Sequence, residues 1–213
     1  MRKILRNHVP YGYLVAYPGE SIAAPEGTEL IVVPGLVSLS DAQMDFLADW
    51  AKKGGRLVVT GDSGRYDDWN AQRRVNGFIP RLAGLPNVVL RESSDMIAGA
   101  DLYWRYSVDP PRDGGRRLVA DLEKSGWRPP VRFEGLPPCV FAEYRRLGDG
   151  KVAIHLVNYA PEKQVDGARL VLGSGEDAEF EEPFCEQPAK AKIGLDGALP
   201  KFGMYAIVTV ATR

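Results

Sequence analysis

The feature that most constrains the fold is a strand, a helix and a second strand that follow one another within residues 29–60. Residues 29–33 are a largely apolar run that a Pro-Gly pair ends. Because this hydrophobicity is continuous rather than alternating, it predicts a strand covered on both faces, as in a parallel sheet. Ser40 and Gln43 have the spacing of a helical capping box, apolar residues then recur at helical spacing, and residues 56–60 are a second apolar run. This order is a βαβ unit, whose crossover should be right-handed.

Further apolar runs extend this layer and then give way to a different pattern. Residues 14–17 and 87–91 are each expected to add a strand, so residues 1–107 predict an open α/β sheet. Residues 108–134 contain several Pro-Pro and Gly-Gly pairs and predict a linker with a short helix. Residues 135–213 show short runs with the lengths and turn spacing of a small antiparallel β-sandwich. The strands expected there cover 140–145, 151–158, 168–172 and 205–210.

Composition excludes several classes of protein. The chain has 213 residues, is 45% hydrophobic and 26% charged, and carries a net charge of −1, so nucleic acid is a poor candidate partner. Its apolar runs fall short of the ~18 residues that a membrane helix needs, and no apolar segment follows the basic N-terminus as in a signal peptide. The expected location is therefore the cytoplasm. The acidic stretch 176–182 predicts an exposed turn with Phe180 pointing inward.

The cysteines and histidines do not have the spacing of a metal site. Cys139 and Cys185 stand alone rather than in a C-x-x-C pair, and His8 and His155 are the only histidines in the sequence. We therefore expect no metal and no cofactor. The histidines are expected to be packed or hydrogen-bonded structural residues rather than catalytic bases.

No catalytic residue is predicted. The tetrad at 61–64, Gly-Asp-Ser-Gly, also surrounds the serine of trypsin-like proteases, but here it ends a strand of a predicted parallel sheet, which is the wrong context. It also departs from the G-x-S-x-G spacing of an α/β-hydrolase nucleophile. A catalytic (β/α)₈ barrel needs roughly 250 residues and eight βα repeats, which this chain does not have.

The strand ends resemble those of class I glutamine amidotransferases. In that family a strand ending in Pro-Gly-Gly is followed by a helix, a strand and a G-x-C-x-G nucleophile turn. Here residues 34–36 (Pro-Gly-Leu) and 60–64 (Thr-Gly-Asp-Ser-Gly) correspond to these landmarks. The resemblance implies an amidotransferase-like, flavodoxin-like fold and places Asp62 at the position of the cysteine nucleophile. An aspartate cannot perform thiol acyl transfer, so the nucleophile position is degenerate.

A closer resemblance is to the trimerisation domain of family 42 β-galactosidases. It rests on residues 31–36, on Leu39 and Ser40, on the run 51–61 (Ala-Lys-Lys-Gly-Gly-Arg-Leu-Val-Val-Thr-Gly), and on Ser63 and Gly64. Residues 152–159 are similar to a strand of the C-terminal β domain of the same enzymes. The resemblance implies a non-catalytic domain pair associated with a glycoside hydrolase, without the catalytic barrel.

This resemblance also bears on the expected partners. A flavodoxin-like domain opens with a strand and a helix before the segment that begins here near His8, so the first strand of the sheet is expected to be missing. An open sheet edge favours pairing with another chain. We therefore expect a homodimer or homotrimer, or association with a glycosidase catalytic chain.

Two other functions remain open at this stage. Tyr66, Asp67, Trp69 and Asn70 combine aromatic rings with hydrogen-bonding groups, which suits either carbohydrate binding or packing at an interface. The carbohydrate reading makes the chain a sugar-binding accessory module. The other alternative is an unassigned hydrolase that uses Asp62 or Ser63.

Overall fold

The computed structural model of the chain describes residues 8–60, 62–75, 77–91, 116–148, 150–173, 177–184 and 189–211. The chain divides into two compact units. Gly12–Trp127 forms the first, here called the α/β unit. Met1–Tyr11 together with Arg128–Arg213 forms the second, here called the β unit.

The α/β unit contains the predicted parallel sheet. Its three described strands, β1 (Leu30–Val33), β2 (Arg56–Thr60) and β3 (Val88–Arg91), lie in this order across the sheet, and both pairs are parallel. Strand β2 lies at the centre, and its Leu57, Val58 and Val59 are fully buried. Because neighbouring residues of a strand point to opposite faces, the sheet is covered on both sides, as the continuous hydrophobicity predicts. The elements are β1 Leu30–Val33, α1 Asp41–Lys52, β2 Arg56–Thr60, α2 Phe78–Leu82, β3 Val88–Arg91 and α3 Arg116–Lys124.

Helix α1 begins as its sequence dictates. The Ser40 hydroxyl accepts a hydrogen bond from the backbone N–H of Gln43 at 3.2 Å, and the Gln43 side chain accepts one from the Ser40 N–H at 3.1 Å. This reciprocal pair satisfies two donors that a helix start leaves free. The buried side chains of Met44, Leu47 and Ala48 lie in one cluster with apolar residues of β1 and β2. The predicted capping box and helix are confirmed.

The strand predicted over residues 14–17 is wrong. No described strand pairs with this segment, and the side chains of Tyr13, Val15 and Tyr17 are about two-thirds exposed. A short apolar run becomes a strand only when a neighbouring strand supplies ladder hydrogen bonds, which the local sequence does not reveal. The Tyr17 carbonyl instead accepts a hydrogen bond from the Gln43 side chain at 3.2 Å.

The β unit is built from two antiparallel sheets that share one apolar core. One sheet has the order β10-β7-β4 and the other β5-β6-β11-β8-β9. Buried residues of both sheets, among them Leu170, Ile154 and Phe180, belong to a single cluster. The strands are β4 Val131–Glu134, β5 Val140–Arg146, β6 Lys151–Asn158, β7 Arg169–Leu172, β8 Ala178–Glu182, β9 Ala189–Ile193, β10 Asp196–Ala198 and β11 Tyr205–Ala211.

Most of the acidic stretch predicted as a turn is a strand. Residues 178–182 form β8, which pairs with β11 on one side and β9 on the other. Phe180 is buried as predicted, whereas Glu179 and Glu181 lie on the solvent face. The strand was not predicted because its alternation covers only five residues. Its outward positions are also acidic rather than β-branched, which is unusual for a strand.

Asn158 organises one end of the large sheet. Its amide donates hydrogen bonds to the carbonyls of Lys163 at 2.8 Å and Gly203 at 2.9 Å, and its side-chain oxygen accepts one from the N–H of Ala160. The residue is 2% exposed. Because a buried amide without partners is costly, this network fixes the loop that leaves β6.

Several predictions fall outside the described residues. These are the segment before His8, where a strand was expected to be missing, Gly61, the part of the linker before residue 116, and Cys185. Within the part of the chain that is described, no helix is long and apolar enough to cross a membrane.

Candidate functional site

The predicted site residues lie at the carboxyl ends of the parallel strands. The segments that leave β1 and β2 are joined by backbone hydrogen bonds, from Gly64 N–H to the Leu36 carbonyl at 3.0 Å and from Tyr66 N–H to the Val37 carbonyl at 2.8 Å. The Leu39 N–H returns a bond to the Tyr66 carbonyl at 3.1 Å. This edge is where ligands bind in open α/β sheets.

The turn after β2 is a packing device. Ser63 is completely buried, and Asp62 is half-buried with its carbonyl accepting a hydrogen bond from the Arg65 N–H at 3.2 Å. Gly64 has φ +75°, and a Cβ there would lie 2.9 Å from the Met44 sulfur and 3.1 Å from the Phe78 Cβ. The turn is thus pressed against α1 and α2. A substrate at the surface could not contact the Ser63 hydroxyl, so the structure gives the Ser63 hydrolase alternative no support.

Asp67 builds the loop that follows. Its Oδ1 atom accepts hydrogen bonds from the backbone N–H groups of Trp69 at 3.0 Å and Ala71 at 2.8 Å. The Asp67 N–H donates to the Ala71 carbonyl at 3.0 Å, and its carbonyl accepts from the Asn70 N–H at 3.1 Å. A carboxylate that bonds its own backbone two residues on is a standard turn-former. This loop, residues 67–71, is therefore held closed by Asp67.

Asn70 fixes the same loop to the segment after β1. Its φ of +60° is a left-handed conformation that asparagine tolerates better than most residues. Its side-chain oxygen accepts a hydrogen bond from the Ser38 hydroxyl at 2.7 Å. Asp67 and Asn70 therefore act as positioning residues in this structure.

Trp69 is the residue that the loop presents. Its side chain is 85% exposed at the tip, whereas Tyr66 is half-buried beneath the Arg65 guanidinium, 5.8 Å from the ring centroid. The structure thus brings the four predicted residues together, but in two roles. Asp67 and Asn70 shape the loop, Trp69 is exposed at its tip, and the Tyr66 ring is covered by Arg65.

The sequence alone did not reveal how apolar this edge is. Leu36 is 47% exposed and Val37 is 39% exposed, and both lie in the segment that leaves β1. Tyr17 is 64% exposed, and its carbonyl is hydrogen-bonded to Gln43 in the first turn of α1. Together with Trp69 these three residues form what we call the carboxyl-edge patch. The signal in the sequence was the apolar pair that follows the Pro-Gly turn, where polar residues are usual.

Arg73 fixes this edge to the start of α1. Arg73 donates a hydrogen bond to the Leu39 carbonyl at 2.9 Å and forms an ion pair with Asp41 at 2.7 Å. Among the described residues, no group of three or more His, Cys, Asp or Glu side chains is arranged to hold a metal ion.

The two histidines hold structure in the β unit. The ring of His8 is buried, hydrogen-bonds the Val140 carbonyl through Nε2 at 3.1 Å, and meets Phe133 edge-on at 6.2 Å. Burial lowers the pKa of His8 below its ordinary 6.5. Hydrogen bonds to the backbone carbonyls of Val140 and Pro137 raise the pKa, but their effect is smaller than that of burial. His155 hydrogen-bonds the Tyr205 hydroxyl. The expectation that both are packed or hydrogen-bonded agrees with these contacts.

Two solved structures match the fold of nearly the whole chain. α-L-Fucosidase isoenzyme 2 from Paenibacillus thiaminolyticus is 10% identical with a TM-score of 0.59, and the match covers 100% of this chain and 44% of the fucosidase. A catalytic mutant of Gan42B, a family 42 β-galactosidase from G. stearothermophilus, is 11% identical with a TM-score of 0.51, and the match covers 98% of this chain and 35% of that enzyme. No protein-family model and no curated protein sequence matches.

Both matches are partial and have low sequence identity. The chain spans less than half the length of either enzyme, and at this identity the likeness is one of fold. A parallel three-stranded layer followed by antiparallel sheets is thus similar to part of a glycoside hydrolase chain.

Proposed function

We propose that this chain is a non-catalytic oligomerisation and accessory part of a β-galactosidase-like glycoside hydrolase system. In this proposal the α/β unit corresponds to the flavodoxin-like, amidotransferase-like trimerisation domain, and the β unit to the C-terminal β domain that follows it. The fold likeness to part of a family 42 β-galactosidase supports the assignment. The strand-end motifs at residues 34–36 and 60–64 support it independently.

The turn after β2 supports the proposal that the α/β unit has no catalytic activity. An aspartate, Asp62, stands where the related amidotransferases place a cysteine, and the neighbouring Ser63 is buried. Gly64 packs closely against Met44 of α1 and Phe78 of α2, so the turn is shaped by packing. We assign glycoside cleavage to a partner catalytic domain.

The observation that carries the association role is the carboxyl-edge patch. Trp69 is 85% exposed on a loop held closed by side-chain hydrogen bonds, beside exposed Leu36 and Val37. A solvent-exposed tryptophan on a loop that hydrogen bonds hold in place, in a unit with further exposed apolar side chains, is typical of a surface that contacts another protein. The partner in this proposal is a second copy of the chain, in a dimer or trimer.

Solution mass tests the association role. We expect the chain at micromolar concentration to sediment and scatter light as a dimer or trimer, and Trp69→Ser to shift it toward the monomer. Leu147→Ser is the matched control, because Leu147 is an exposed apolar residue of the β unit, at the turn after β5. A monomeric parent chain, or equal effects of the two substitutions, would refute the role.

A second candidate function is carbohydrate binding at the same loop. The exposed indole of Trp69 and the half-buried Asp68 beside it offer a flat apolar face and a carboxylate acceptor. Titration with galactosides should then change tryptophan fluorescence in the parent chain and not in Trp69→Ala. A flat titration in the parent chain eliminates this candidate.

A further inference from the structure

The solvent face of the five-stranded sheet in the β unit is not the polar surface that an outward sheet face usually presents. On β11, Ala206, Val208 and Val210 enter the core. Tyr205 and Ile207 therefore point to the opposite face. The same alternation directs Phe141 of β5 and His155 of β6 outward. We call this surface the outer sheet face.

Aromatic rings form a row across one end of the outer sheet face. Phe141 and Tyr205 are both in register with Val157, which lies between them on β6. Tyr159 meets Phe141 edge-on at 5.0 Å, and Phe184 lies 5.2 Å from Tyr205. Tyr159 is 70% exposed and Phe184 is 75% exposed. The row is thus a strip of two aromatic pairs, one on each side of Val157, and its outer rings are open to solvent.

Polar groups lie beside this strip in fixed register. The next cross-strand row holds Glu143, His155, Ile207, Glu181 and Lys190 in that order. The His155 ring is hydrogen-bonded to the Tyr205 hydroxyl, so the polar row is tied to the aromatic one. Burial, and then the charge of Glu143, raises the pKa of the Tyr205 hydroxyl above its ordinary value.

A shallow groove continues from these rows across strands β11, β8 and β9. Its volume is about 350 Å³, within the size range of small-molecule sites, and β8 lines it with carboxylates where the neighbouring β9 lines it with amines. Its lining includes Glu179, Glu181, Lys190, Lys192, Ile207 and Thr209.

Charge on the outer sheet face is balanced. Glu143 pairs with Arg145 at 2.7 Å, Glu181 pairs with Lys190 at 3.2 Å, and Glu179 lies opposite Lys192 in the strand register. A surface with this balance has no net attraction for a polyanion or a polycation. It does offer hydrogen-bond donors and acceptors beside flat apolar rings, which complement the hydroxyls and the apolar faces of a sugar ring.

We propose that the outer sheet face is a binding site for neutral carbohydrate chains. Sugar rings stack on the exposed rings of Tyr159 and Phe184, and their hydroxyls bond His155, Tyr205 and the paired carboxylates. Fixed rings and side chains already held by partners lose little freedom on binding. The site lies wholly in the β unit and is independent of the association role proposed for the carboxyl-edge patch.

The test uses the full chain in native gels that contain a soluble polysaccharide. We expect neutral β-1,4-galactan, xyloglucan or dextran to retard migration, and anionic polygalacturonate to have much less effect. Tyr159→Ala and Phe184→Ala should each raise the apparent Kd about tenfold, because each removes a stacking ring. Leu195→Ala is the control: it removes an exposed apolar side chain of the β unit outside this face and should leave the Kd unchanged.

Three results would overturn the proposal. The first is the absence of retardation by all three neutral polysaccharides. The second is retardation that persists unchanged in both ring variants while circular dichroism shows them folded. The third is a fall in solution mass caused by Tyr159→Ala or Phe184→Ala, because the outer sheet face would then be a contact between copies of the chain. Loss of association in Trp69→Ser with retardation intact would support this site and leave it distinct from the carboxyl-edge patch.

Discussion

Replacing Gly64 by alanine tests the claim that the turn after β2 is a packing device. Two costs apply there. The φ of +75° is unfavourable for any residue with a Cβ, at about 1 kcal/mol. The new Cβ would also lie 2.9 Å from the Met44 sulfur and 3.1 Å from the Phe78 Cβ. The Met44 side chain can shift but the Phe78 Cβ cannot, so overpacking adds about 1–3 kcal/mol. We expect Gly64→Ala to lower the free energy of unfolding by about 2–4 kcal/mol.

Two other glycines of the same unit separate these costs. Gly84 has φ +80° with no atom within 4 Å of the point where a Cβ would lie, so Gly84→Ala should show only the backbone cost of about 1 kcal/mol. Gly77 has φ −76° and equally open space, so Gly77→Ala should be within about 0.5 kcal/mol of the parent chain. Urea unfolding followed by tryptophan fluorescence is the assay, because all four tryptophans fall within Gly12–Trp127. If Gly64→Ala costs no more than Gly84→Ala, the close packing of the turn is refuted.

Three further predictions concern buried polar groups. Because folding lowers the pKa of His8 below its ordinary 6.5, the free energy of unfolding should fall as the pH drops from 7 through 6.5 toward 5. Asparagine tolerates the positive φ at this position, so His8→Asn should fold and should flatten this pH dependence, as measured by circular dichroism. Asp121 is 2% exposed and accepts two hydrogen bonds from Arg91, so Asp121→Ala should cost about 2 kcal/mol in urea unfolding, whereas Asp45→Ala, at an exposed ion pair, should cost under about 0.5 kcal/mol. In Asn158→Asp a carboxylate would lie against two carbonyl oxygens, so the melting temperature should fall by several degrees. An unchanged melting temperature would contradict this prediction.

Residues 29–60 were predictable because local and long-range signals agree there. Ser40 and Gln43 cap the helix through their own side chains, and the apolar run of β2 needs burial on both faces whatever the partner. Residues 14–17 show the limit of the same reasoning. Their hydrophobicity resembles that of a strand, but a strand requires a neighbour, and pairing is not encoded in four residues.

The positions of the candidate residues in one loop were predictable from the sequence, but the contacts that they make were not. The sequence placed Tyr66, Asp67, Trp69 and Asn70 together, yet it could not show that Asp67 bonds backbone N–H groups through one oxygen or that Asn70 adopts a left-handed φ. The outer sheet face was invisible in the sequence. Its rings come from four separated segments, and only the pairing of β5, β6, β11 and β8 brings them to one face.

The solution mass of the intact chain tests the central claim most directly. Multi-angle light scattering on the parent chain and on Trp69→Ser measures association without assuming a ligand. The protein concentration should run from about 1 to 100 μM, because the Kd of a transient interface lies in this range. We predict a dimer or trimer for the parent chain and a shift toward the monomer for the variant. A parent chain that stays monomeric at the highest concentration contradicts the oligomerisation role.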